Sequence, residues 1–272
     1  MTLATTRDAN TVSRPGPQHA AAVFAVISVG AQIAYPLVSE SAKLQLSRIT
    51  VICFALASFV HVANTYGLAV LVRFLTIALG VGLVAEVVGV NTGFPFGRYS
   101  YTGRLSPELA GAAVLVPFAW AMMAWPALLA GRRTPHPVLV GSALLVSWDL
   151  FLDPQMVRDG NWTWAPSRWP TIIGIPVSNY LGWTFTAAVM LSLLHRWIPA
   201  IAVPAPNPVA QGGLSVPFAL LGWTWFSETL GHLVFFHRPA VAGIGGSVMG
   251  AVLVYVLWCS ASDRDRDRGA TC

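Results

Sequence analysis

The chain has 272 residues, 55% of them hydrophobic and 10% charged, with a mean hydropathy of +0.63. A soluble domain carries about 25% charged residues. The deficit, spread over repeated long apolar runs, excludes an ordinary soluble fold and specifies a polytopic helical membrane protein. The net charge of +5 resides mainly in short loops between those runs, where it sets topology and requires no nucleic-acid partner.

In chain order, residues 1–19 read as a disordered polar tail containing Arg14-Pro15-Gly16-Pro17. Eight apolar stretches follow, at 20–38, 49–66, 68–90, 110–131, 137–153, 178–198, 214–236 and 239–260. Most reach the ~17–25 residues that cross a bilayer. The expected fold is an all-α transmembrane bundle of eight spans, or seven if the first is a cleaved signal segment. A single membrane domain covers 20–260 with a Pro-rich connector at 199–213, and a charged tail occupies 261–272. Basic residues divide eight against seven between the two sides, and the positive-inside rule then puts both termini in the cytoplasm.

The third span runs into the stretch EVVGVNTGFPFGRYSYT, residues 86–102. Glu86 stands ~6–8 Å below the following loop at 1.5 Å per residue. A carboxylate at that depth is costly and marks a functional site. Asp149 and Asp153 end the fifth span four residues apart, on one helix face. Asn179 opens the sixth span, and Glu228 and His232 lie late in the seventh, again four apart. Loops after spans three, five and seven share one membrane face, so these groups reach one level. Arg98, Tyr99 and Tyr101 are expected to shape the pocket mouth, and Trp148 and Trp225 to offer aromatic faces. Each residue alone also has a structural reading: Asp153-Pro154 ends a helix, Glu228 pairs with His232, and the tryptophans form an interfacial belt. Their convergence points to a site.

The sequence excludes several chemistries. Its six histidines form no HxxxH, HxxHH or HExxH box, and no P-loop or dinucleotide fingerprint occurs. Cys53, Cys259 and Cys272 form no CxxC pair. Asp149-x-x-x-Asp153 matches half of the metal–diphosphate motif of membrane prenyltransferases. However, Val146-Ser147-Trp148 stand where the upstream part belongs, and residues 199–213 carry no acid. No metal and no cofactor are therefore expected. Acid–base chemistry in an apolar, aromatic pocket remains. A carboxylic acid in low dielectric holds its proton and can deliver it to an alkene. The tertiary cation then faces Trp or Tyr rings, and a second carboxylate activates water.

The segments PFGRYSYTG (95–103), Asp149-Leu150-Phe151-Leu152-Asp153-Pro154, the GNWTW run of 160–164 and GIPVSNYLGW (174–183) resemble the carotenoid-biosynthesis membrane family. The likeness runs from about span two to span eight. It implies a carotenoid hydratase, adding water to the terminal double bond of an acyclic carotenoid end group to give a tertiary alcohol. The implied partners are that substrate, membrane lipid and a carotenoid glycosyltransferase or other pathway enzyme, in a bacterial cell membrane. A close rival is an end-group cyclase, which begins with the same protonation. A rival of another class is a transporter or lipid-binding protein using the acids as a proton relay.

Overall fold

A computed structural model describes residues 17–168, 170–200 and 208–269. Residues 1–16, 201–207 and 270–272, parts of the two expected tails and the connector, lie outside the described residues. Among the described residues there are eight helices: α1 (Pro17–Ala34), α2 (Glu40–Tyr66), α3 (Leu68–Thr92), α4 (Leu115–Gly131), α5 (Pro137–Arg158), α6 (Val177–Trp197), α7 (Pro208–Leu230) and α8 (Pro239–Gly269). A short 3₁₀ turn, Tyr35–Leu37, extends α1, and a π-helical turn, Gly231–Phe235, extends α7. Six of these helical segments are long and apolar enough to cross a membrane. The fold is an all-α membrane bundle.

The 66–68 break needs no loop. Gly67 adopts φ +85°, a conformation open to glycine, and α2 turns directly into α3. α5 is longer than its apolar run, because Pro154 is carried inside the helix and the end comes at Arg158. Asp153-Pro154 is thus not a helix terminus. Arg238 Nη1 donates to the Pro154 carbonyl at 2.5 Å, and Arg158 Nη1 donates to the Phe236 carbonyl at 2.8 Å, tying the end of α5 to the turn after α7.

α4 is the centre of the bundle. It packs against α2, α3, α5, α6 and α7 and is buried on every side from Ala119 to Gly131. A helix that is apolar all round belongs in such a position. Its alanines at 119, 121, 124, 127 and 130 allow neighbouring helices close approach, the usual packing device inside a bilayer. The outer helices instead show apolar side chains outward: Val72 and Val84 on α3, Val254 and Leu257 on α8.

The Gly/Pro-punctuated loops form small ribbons. β1 (Tyr99–Tyr101) pairs antiparallel with β4 (Trp162–Trp164), with Tyr99 opposite Trp164 and Tyr101 opposite Trp162. Two shorter ribbons, β2 (Glu108–Leu109) with β3 (Ala112–Ala113) and β5 (Thr171–Ile172) with β6 (Ile175–Pro176), cap the same end of the bundle's loops.

Candidate active site

Successive strand residues point to opposite faces. Tyr99 and Tyr101 therefore share a face, as do Trp162 and Trp164 across the ribbon, while Ser100 and Thr163 take the other. The aromatic face is turned into the bundle. Tyr99 packs on Trp164 at 5.1 Å between ring centroids and Tyr101 on Trp162 at 5.9 Å. Phe96 wedges this loop between α3 and α6, and a Cβ on Gly89 or Gly182 would come within 2.7 or 2.5 Å of its ring.

The ribbon supplies the donors for two acids. Glu86 is buried, and both Tyr99 and Tyr101 donate their hydroxyls to its Oε2, at 2.8 and 2.6 Å. Trp120 Nε1 of α4 reaches its Oε1 at 3.3 Å. Burial first, and then the Glu86 carboxylate beside them, push both phenols above the ordinary tyrosine range, so they stay protonated and donate. Asp153 accepts from Trp162 Nε1 at 2.8 Å.

Asn179, buried at the start of α6, joins the acids of α5. Its amide NH₂ donates to Asp149 Oδ2 at 2.8 Å and to Asp153 Oδ2 at short range. The four-residue spacing puts both carboxylates on one helix face within reach of one amide. Among the described residues no lysine or arginine is paired with Glu86, Asp149 or Asp153. The donors are neutral, which leaves each carboxyl able to hold or release a proton. No group of three or more His, Cys, Asp or Glu side chains placed to hold a metal ion occurs among the described residues.

A cavity of about 370 Å³ opens on this network. Glu86, Tyr99, Tyr101, Asp153, Trp162 and Asn179 line it on the ribbon side. Trp148, Trp183 and Phe54 form apolar wall, with Trp183 stacked on Trp120 at 4.0 Å. Glu228 lines it from α7, near Gln32, Trp223 and Ser227.

The other expected residues fall elsewhere. Asp149 is fully buried but lies outside the cavity wall, behind Asn179. His232 is also outside it, stacked on Phe151 at 5.8 Å with Nε2 at 3.6 Å from Glu228 Oε2. Trp225 is turned away, with its Nε1 donating to the Gly246 carbonyl of α8 at 2.8 Å. Arg98 was expected at the mouth with the two tyrosines. Arg98, just before β1, is exposed and outside the cavity lining, while Tyr99 and Tyr101 line the interior around Glu86. Two contributors have no place in the sequence reading of the site: Trp120 and Trp183. α4 shows no period to flag Trp120. The role of Trp162 had a signal, since YSY and WTW share an aromatic–hydroxyl alternation suited to pairing.

Residues 46–253, which contain every element of this network, match the family described as carotenoid biosynthesis protein. The chain belongs to that family. The chain is also 34% identical over 120 residues to the bisanhydrobacterioruberin hydratase of Haloarcula japonica. That match covers 40% of this chain and 39% of the relative, so it spans well under half of the relative's length. No solved structure matches the chain.

Proposed function

We propose that this protein is a carotenoid hydratase, acting without a cofactor on the terminal double bond of an acyclic carotenoid end group. The observation that carries the reading is the meeting of Glu86 and Asp153 on the wall of one aromatic cavity, each held by neutral donors. The family match and the name of the relative support the substrate class.

Glu86 serves as the acid. It gives its proton to the less substituted carbon of the alkene, and the double bond's electron pair forms the new C–H bond. The neighbouring carbon becomes a tertiary cation, which Trp148, Trp183 and Tyr99 stabilise through their ring faces. Asp153, aligned by Asn179 and Trp162, takes a proton from water as the water oxygen bonds to the cation. The product is a tertiary alcohol. Return of that proton from Asp153 to Glu86 restores both acids, so the net reaction is alkene plus water. Tyr99 and Tyr101 steady Glu86 in either state. Asp149 acts at one remove, by fixing Asn179. Glu228 stands at another part of the wall, where it orients water, with His232 behind it and outside the lining. Membrane lipid surrounds the bundle, and the enzyme that modifies the new hydroxyl, such as a glycosyltransferase, is its expected neighbour.

Expression in a host that accumulates acyclic carotenoids, followed by mass spectrometry of the pigments, tests this reading. Gain of one water per reacted end group is the expected result. Products of unchanged mass with shortened chromophores would mean cyclisation, and unchanged pigment in the presence of folded protein would remove both readings.

A further inference from the structure

Among the described residues, the cavity's lining includes five side chains that are themselves exposed: Ile33 (53%), Leu37 (69%), Phe226 (48%), Leu230 (39%) and Phe235 (45%). All five are apolar. All five come from two neighbouring elements, α1 with its 3₁₀ turn and α7 with its π-helical turn. Among the described residues, no ribbon or polar loop residue in the lining is exposed in this way. The exposed rim of the cavity therefore lies between α1 and α7 and is apolar. The π-helical turn that extends α7 supplies Phe235 to the rim.

The size of the cavity leads to the same place. A cavity of about 370 Å³ is at the lower end of the range for ligand pockets. An acyclic carotenoid is a rod many times longer than its end group. Once the end group reaches Glu86 and Asp153, the remainder of the rod has to leave through the opening.

We propose that the gap between α1 and α7 is a lateral entrance from the bilayer and the seat of the apolar polyene that trails from the bound end group. The identity of this occupant rests on the hydration reading. Ile33 and Leu37 form one wall of the seat, and Phe226, Leu230 and Phe235 form the other. The polar ring inside reads the end group, while the far end of the substrate stays in lipid and is not read.

The test uses full-length protein carrying Glu86→Gln, to stop turnover, purified from a host that makes acyclic carotenoids. Pigment retained per protein is measured by absorbance after size-exclusion chromatography. Adding Leu230→Trp or Leu37→Trp should lower retention at least about ten-fold by filling the entrance. Val254→Trp, on the lipid-facing side of α8 and outside the cavity lining, should leave retention unchanged. The two entrance substitutions lie on opposite walls, so a folding failure in one leaves the other to decide. Full retention in the folded entrance variants, or an equal fall with Val254→Trp, overturns the proposal. If retention depends on the entrance while unmodified protein forms no hydrated product, the entrance stands and the hydration reading falls.

Discussion

Glu86 is satisfied by three donors that carry no charge, and this sets it apart from a buried carboxylate locked in an ion pair. An Arg partner would hold such a group as an anion, whereas two phenols and an indole accommodate either protonation state. Glu86→Gln keeps the size of the side chain and removes the transferable proton. It should lower hydration by roughly 10²–10⁴, the usual contribution of a positioned acid or base, and Asp153→Asn should do the same. Pigment conversion in membranes, normalised to folded protein, measures both. Trp225→Phe is the contrasting case: its ring is outside the cavity, so conversion should hold within about two-fold. Asn179 belongs to stability as well as chemistry. Asn179→Ala strips a donor from two buried carboxylates at once, and thermal unfolding in detergent should show a loss of roughly 1–3 kcal/mol. Which acid lies on the cavity wall could not be read from the sequence. Parity puts Glu86, Asp149, Asp153 and Asn179 at one level, but the division between wall and interior depends on helix rotation. Asp149 turns behind Asn179, while Asp153 turns toward the cavity.

The elements were legible to different degrees. Helix existence followed from apolar length, and the short gap between the 49–66 and 68–90 runs marked the tight turn between α2 and α3. The end of α5 was misplaced by the apolar count, because Pro154 rides inside the helix and polar residues continue it to Arg158. The β1–β4 ribbon was not foreseen. Three-residue strands give too short a pattern, and their pairing joins residues about sixty positions apart. That ribbon is anchored by Phe96, seated on two glycines. Gly182→Ala would put a methyl 2.5 Å from the Phe96 ring and 3.1 Å from its Cα. Forcing that contact should cost about 1–3 kcal/mol. It should also move Tyr99 and Tyr101 off Glu86, so conversion should fall more than the loss of folded protein explains. Unfolding temperature and conversion, measured on one preparation, separate the two effects.

At the scale of the whole molecule, composition alone specified an all-α membrane bundle, because no other soluble or membrane class combines so few charges with eight apolar runs. The side opening between α1 and α7 was beyond the sequence, since exposed leucines and phenylalanines look the same whether they face lipid or rim a cavity. The outer faces of α3 and α8 are predicted to lie in hydrocarbon. Val248→Arg, at an exposed site on α8, should weaken insertion by roughly 2.5–3.5 kcal/mol. A glycosylation-site insertion assay on that helix reads the change.

The central claim is that water adds to the alkene at Glu86 and Asp153. Purified protein in lipid nanodiscs, given an acyclic carotenoid in oxygen-labelled water, tests it most directly. Unmodified protein should place one labelled oxygen in the tertiary hydroxyl of each reacted end group, and Glu86→Gln should place none above background. Product without the label, or labelled product from Glu86→Gln at the unmodified rate, would contradict it.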